Sequence, residues 1–398
     1  MLEMYEGHPT IPESAAVAAF VNEIFASLPR VDQRRWAQAY LHGLLTVPGR
    51  KTLRGLAQAV TPRTASAHGL QQFINGSPWD WAPVRQALAR AITGHGRPRA
   101  WSIATITIRK RGHHSVGVHR RFDPRAGRVL NCQLAIGLFA VTPHGSLPVD
   151  WRLLLDGTWS TDTVRRGRAR VPDTETARTL AEHVRELVTG APAVPDGSQA
   201  PWVLDLTETP DAALVVDALT EHGQDFLCEV GPAQRMHLAA LGRRPVSAAT
   251  AMTHRPGQPA LASAVPPDDR RTGRFLLHTG PACLAGGPHR VPLSHRLVMQ
   301  PASPFHRDGR YWLTNMATRI HEVPALAETV TATDCAIADL IDDFGVQDFE
   351  GRSYPGWHHH MTMAAAAYVF SRLHHTAPRA CRHGHHPTPR GALLELTS

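Results

Sequence analysis

His358, His359 and His360 are three adjacent imidazoles, the side chain that most often ligates transition metals. On a helix successive residues point about 100° apart, so neighbours converge poorly on one ion. The segment Cys381-Arg-His-Gly-His-His386 has a composition that holds Zn²⁺ or Ni²⁺ weakly, and as a solvated tail it is expected to do nothing specific. Arg109, Lys110 and Arg111, followed by His113 and His114, make a basic turn. Arg165, Arg166, Arg168 and Arg170 form a second basic cluster, and Arg34 with Arg35 a third. Such clusters are ordinarily just solvated, but three of them on one basic chain fit a surface that tracks phosphates. Asp156, Ser160 and Asp162 surround Trp159 without a catalytic pattern.

Composition limits what these residues can serve. The chain has 398 residues, enough for two or three domains at roughly 100–200 residues each. Lys and Arg total 42 against 34 Asp and Glu, a formal charge of +8. Lysine occurs only at positions 51 and 110, so arginine, whose fork suits phosphate and base edges, carries the charge. A GC-rich coding sequence produces the same bias, so charge alone does not settle nucleic-acid binding. No apolar run reaches the ~18 residues of a membrane span, and the N-terminus lacks the basic-then-apolar pattern of a signal peptide. A cytoplasmic protein without a membrane partner is expected. The cysteines (132, 228, 283, 335, 381) are odd in number and scattered, against a disulfide framework, and most are expected to be buried apolar side chains.

The elements that must position the chemistry follow from periodicity. Residues 15–28, 33–45, 52–60 and 83–92 have helical apolar spacing, with Asp32 as a cap and Ser77 capping a Pro78 start. Trp101–Ile108 is β-branched and apolar, and strands are expected again at 115–120, 129–141 and 147–155; the short connections make them antiparallel. Helix 174–189, strand 201–206 ending at Asp205, helix 211–222 and strand 225–230 follow. Residues 231–310 are weakly periodic, with candidate strands at 275–278 and 295–299. A strand at 311–316 and helices at 325–344 and 361–373 end the pattern. Strands, then helix, strand, helix and strand, suit a mixed sheet with helices on its faces. The tryptophans are expected in the core.

Four passages in order resemble the insertion-sequence 701 family of DDE transposases, a branch near the insertion-sequence 4 group. They are Leu70-Gln-Gln-Phe-Ile-Asn-Gly-Ser-Pro-Trp-Asp80; Gly112-His-His-Ser-Val-Gly-Val118 with Asn131-Cys-Gln133; Thr142-Pro-His-Gly145 with Pro148-Val-Asp-Trp-Arg-Leu153; and Phe349-Glu-Gly-Arg-Ser353 with Gly356-Trp-His-His-His360. The resemblance spans roughly residues 30–375. It implies an α/β fold: a ribonuclease H-like mixed sheet flanked by helices, with a helical N-terminal region and an inserted segment. The corresponding divisions are 1–97 (helical, DNA-binding), 98–230 (first part of the core), 231–310 (insertion), 311–375 (C-terminal part of the core) and 376–398 (flexible tail).

The resemblance also implies three carboxylates holding two divalent ions that activate water or a DNA 3′ hydroxyl. The residues depart from that pattern. Where the family carries its first acid in a "DDTGFPKKG" type turn, this chain has Ala104 and Thr105, with Lys110 and Gly112 retained. Asp205 matches the second acid, but Leu206-Thr-Glu-Thr209 replaces "AGYG". Counting back from Glu350 puts Asp334 at the third acid, without the flanking Arg and Trp of "RWxIE".

The expected function is therefore a transposase-derived protein deficient in DDE strand cleavage that retains DNA binding or a repurposed role. Asp205, Asp334, Glu350 and Glu208 are the candidate acids. Arg109, Lys110, Arg111, His113, His114, Arg352 and His358 are the candidate cleft or DNA-binding residues; the family's histidines at the last position imply packing or contact with the DNA backbone. No cofactor is expected, Mg²⁺ or Mn²⁺ entering only if the ligands have relocated, for which Asp123, Asp150 and Glu208 are candidates. DNA is the expected partner, with a small molecule in the former cleft and a second copy of the chain as alternatives. The rival readings are a new enzyme acting on that small molecule, an active transposase with relocated ligands, and a folded remnant with no selected role.

Overall fold

The computed structural model describes residues 14–59, 67–123, 127–192, 199–239, 244–253, 260–262, 275–277, 281–287, 294–302 and 309–374. The Cys381–His386 motif and much of 231–310 lie outside them. Helices α1 (Ser14–Ile24), α2 (Val31–Thr46), α3 (Leu53–Ala59), α4 (Ala67–Asn75) and α5 (Trp81–His95) precede the first strand. α4 was not anticipated, although Leu70, Phe73 and Ile74 bury one face at helical spacing. Two caps differ from expectation. Asp80 caps α5, accepting from Ala82 N at 2.9 Å, while Ser77 Oγ accepts from Gln33 Nε2 at 2.9 Å. Asp32 lies inside the first turn of α2, where its charge suits the helix N-terminus.

The β-branched run after Arg99 becomes β1 (Ala100–Arg109), followed by β2 (His119–Asp123), β3 (Arg128–Thr142) and β4 (Gly145–Leu154). β3 is antiparallel to β1 along its whole length; its other edge takes β2 near its start and β4 near its end. The strand expected at 115–120 begins only at His119. α6 (Gly157–Thr161), α7 (Thr163–Ala169) and α8 (Leu180–Gly190) lead to β5 (Trp202–Asp205), α9 (Ala212–Glu221) and β6 (Phe226–Val230). α8 starts later than expected because Thr179 and Glu182 form a capping box. β5 is parallel to β1, and β6 to β5. The central strand order β4–β3–β1–β5–β6, three antiparallel strands and then two parallel ones reached through helices, is the ribonuclease H-like mixed sheet that was expected.

β7 (Arg235–Leu238), β8 (Val246–Ser247), α10 (Ala248–Thr253), β9 (Ala260–Ala262), β10 (Phe275–Leu277), β11 (Ala282–Leu284), β12 (Arg296–Gln300) and β13 (Arg310–Thr314) follow. Of these, β13, β12, β10 and β9 extend the main sheet beyond β6, while β11, β7 and β8 form a small second sheet. α11 (Val323–Asp342) and α12 (Tyr354–His374) end the described chain. Alternation along the strands separates two faces. Ala100, Val203, Leu227 and Trp312 pack beneath Val323, Leu326, Ala327 and Val330 of α11. Trp101, Trp202 and Phe226 belong to the larger core with side chains of α8 and α9. The tryptophans are core residues as expected, Trp151, Trp159, Trp202, Trp312 and Trp357 being fully buried. Cys132 and Cys228 are buried thiols, Cys283 is half-buried, and Cys335 is disulfide-bonded. Among the described residues no helix is long and apolar enough to cross a membrane.

α12 begins a full two turns before the apolar run that marks it in the sequence, and it is buried almost all round. Its small residues Ala364–Ala367 let it lie between β4 and helices α2, α4 and α5. Its three histidines fan out as helical geometry requires. His358 Nδ1 meets Arg85 Nη2 at 3.1 Å and its ring stacks on Trp81 at 4.4 Å. His359 reaches the carbonyls of Ile74 and Trp79, both at 2.8 Å. His360 Nε2 donates to Gly345 O, and its Nδ1 accepts from the Tyr40 hydroxyl, each at 2.9 Å.

Burial pushes His359 and His360, with His183 and His295 elsewhere, down to about 4 from an ordinary 6.5. The unfolded chain therefore takes up protons first as the pH falls. Folding stability is full above about pH 6.5 and is lost toward pH 4, at up to about 1.4 kcal/mol per pH unit for each group. Urea unfolding is expected to show a lower midpoint near pH 5 than near pH 7.5; equal midpoints would contradict this account of the histidines.

Candidate functional site

In the parallel pair β1–β5, Trp101, Ser102 and Ile103 stand beside Trp202, Val203 and Leu204. The pairing ends there, and Ala104 and Asp205 are the residues that follow it on the two strands. By alternation Ala104 shares the face of Ser102, Asp205 shares the face of Val203, the partner of Ser102, and Thr105 lies on the opposite face. On its other side Asp205 is in register with Glu229 of β6. Glu229 is buried, and Arg310 grips it with a fork, Nε to Oε1 at 2.8 Å and Nη2 to Oε2 at 2.7 Å. Sequence reasoning passed over Glu229. The available signal was a lone acid inside the short apolar strand Phe226–Val230, a residue type almost never fully buried unless paired.

Asp205 Oδ1 accepts from Thr207 N at 2.9 Å, which shapes the turn in the absence of glycine. Glu208 is exposed in that turn. α11 lies across β1 and β5. Asp334 is half-buried there, one turn beyond the sheet-facing Val330, and its neighbour Thr333 is held to β4 by Ser146 Oγ at 2.9 Å. Glu350 stands with the N-terminal helices instead, exposed and paired with Arg50 at 2.8 Å. Asp150 is occupied by Arg85 at 2.7 Å and Arg152 at 2.9 Å. The side chain of Asp123 lies outside the described residues.

The basic turn is a solvent-facing loop between β1 and β2. Arg109, Arg111, His113 and His114 are exposed. Gly117 closes the loop with φ +69°, and a Cβ there would come within 2.9 Å of Leu153. Val116 N donates to Arg352 O at 3.1 Å, which brings exposed Arg352 alongside. Gly351 fits because any Cβ would meet Asn75 Oδ1 at 2.2 Å. His358, expected in the same group, is 1% exposed and packs within α12; of the two roles considered for it, the structure places it in packing.

Lys110 turns inward from the loop. Its Nζ donates to Phe349 O at 2.6 Å, and burial pushes its ammonium down to about 8 against the opposing pull of Asp348 and Glu350. Lys110 and Gln347, whose Nε2 donates to Thr107 O at 3.4 Å, tether the 345–350 segment to β1 beyond the end of β5. Lys110→Met removes a charged hydrogen bond to a backbone carbonyl. It is expected to lower stability by about 1–3 kcal/mol and to speed amide exchange selectively from Val346 to Gly351. Unchanged exchange there would refute the tether.

Comparison with curated proteins gives no match. Residues 23–274 match the family described as DDE superfamily endonuclease. The matched stretch contains Ala104, Asp205 and Glu229, and stops short of Asp334 and Glu350.

Proposed function

The chain belongs to the DDE superfamily endonuclease family, and from that premise we propose that it is a transposase-derived protein that binds DNA without cutting it. The observation that carries the reading is that Ala104 and Asp205 directly follow the last paired residues of β1 and β5, so a methyl group stands where the resemblance puts the first acid. Chemistry of this class needs divalent ions held by hard carboxylate oxygens, and a methyl group supplies none.

The donor set does not fit such a centre. The one carboxylate in register with Asp205 is Glu229, and the guanidinium of Arg310 already occupies both its oxygens. Among the described residues no three His, Cys, Asp or Glu side chains stand together for one ion. Asp150, a candidate for a relocated ligand, is engaged by two arginines. DNA binding is supported by the exposed basic loop of Arg109, Arg111, His113 and His114 with Arg352 beside it. Such a surface attracts phosphate through charge and releases counterions on binding.

Thermal-shift and nicking measurements test the reading together. Short duplexes are expected to stabilise the protein without any divalent ion. Affinity is expected to fall on the order of a hundredfold or more between about 50 and 200 mM salt. Supercoiled plasmid is expected to stay intact with Mg²⁺ or Mn²⁺. Ala104→Asp is expected to introduce a metal-dependent shift that the natural chain lacks. Metal-dependent nicking abolished by Asp205→Asn would overturn the proposal, as would binding that is absent at low salt.

A further inference from the structure

Between β2, the short helices α6 and α7, and the segment at Arg352 lies a cavity of about 720 Å³. It is bordered by four guanidinium groups, Arg120, Arg165, Arg168 and Arg352, against two carboxylates. Both carboxylates are engaged in local structure. Asp156 Oδ1 accepts from Thr158 Oγ1 at 2.7 Å and Trp159 N at 3.3 Å, and Asp162 Oδ1 accepts from Arg165 N at 2.8 Å.

The Arg165–Arg170 cluster divides cleanly. Arg166 is turned inward to the carbonyls of Trp159 and Pro172, and Arg170 to Asn75 O and Ser353 Oγ. Arg165 is fixed by His113 O at 2.7 Å and Val118 O at 3.0 Å, with its guanidinium 3.9 Å over the Trp159 ring. Arg168, one turn further along α7, and Arg352 are exposed at the cavity and hold no ion-pair partner among the described residues. Val118 and the 62%-exposed Val164 add apolar wall.

Small-ligand sites run to about 300–1,000 Å³ and combine apolar walls with a few placed polar groups. Unpaired arginine forks match the oxygens of phosphate. A volume of about 720 Å³ falls in the range that holds one nucleotide. We propose that it binds the phosphate ester of a single nucleotide, gripped by Arg168 and Arg352. That chemistry is shared by a free mononucleotide and by the phosphorylated end of a nucleic-acid strand. The cavity shares His113, His114 and Arg352 with the basic loop, whereas Arg168 belongs to the cavity alone, so Arg168→Glu is expected to weaken phosphate binding here while leaving duplex binding by Arg109 and Arg111 in place.

Calorimetric titration of the full chain tests it with adenosine 5′-monophosphate, adenosine, and a tetranucleotide with and without a 5′ phosphate. Saturable binding is expected for the phosphorylated probes, at least about tenfold tighter than for their phosphate-free counterparts. Arg168→Glu and Arg352→Glu are each expected to weaken it by about tenfold or more, while Arg90→Glu, an equal charge change at an exposed site on α5, alters it less than about twofold. Both target side chains are exposed, so the variants are expected to melt with the natural chain, and Arg168→Gln should show an intermediate loss. Tighter binding of the mononucleotide assigns a free nucleotide; tighter binding of the tetranucleotide assigns a strand end. Absence of saturable binding, no preference for phosphate, or an equal loss in Arg90→Glu would overturn the proposal.

Discussion

Burying three consecutive imidazoles is costly unless each finds a partner, and α12 meets that requirement by reaching a different element with each ring. His358 meets α5 through Arg85, His359 the end of α4 and the residues before α5, and His360 both α2 and the turn after α11. Arg85 compounds the constraint. Its guanidinium donates to Thr362 and His358 of α12 and to Asp150 and Trp151 of β4. The position of the N-terminal helices relative to the sheet is thus fixed by directional bonds to one helix, and not by apolar contact alone. Because a guanidinium only donates, His358 Nδ1 must accept, which sets that ring's tautomer.

With this frame in place, the basic loop and the strand ends are held on rigid supports. Gly117 and the Val116–Arg352 bond dock the loop on the segment that leads into α12. The sheet places Asp205 in register with an acid already satisfied by arginine. Electrostatically this is a quiet arrangement. A cluster of like-charged carboxylates repels itself, whereas here the Glu229 charge in register with Asp205 is matched by Arg310.

The strands were legible because their β-branched and apolar runs carry the sheet's period directly, and Asp205 was legible as the polar end of such a run. The resemblance left Ala104 and Thr105 equivalent at the expected first acid; only their opposite faces on β1 distinguish them. Three features were hidden. α6 and α7 are too short for periodicity, and their signal was the pair of capping residues Asp156 and Asp162, which had been noticed without a role. The start of α12 precedes the helix expected at 361–373 because its histidines and Pro355 interrupt the apolar run, although proline suits a first turn. Glu229 showed only as a lone acid in an apolar strand, because its pairing with Arg310 arises across strands that are distant in the chain. His358 was read by residue type, and only the packing shows that its ring has no access to solvent.

β1 is longer than β5. Past Ile103 its edge leaves the company of a strand and is met by side chains from the 345–350 segment, with Gln347 reaching Thr107 O and Lys110 clasping Phe349 O. A bare strand edge rich in Thr and Ile is a template on which another chain can add its own backbone. The segment between the last two helices therefore serves as a guard rail.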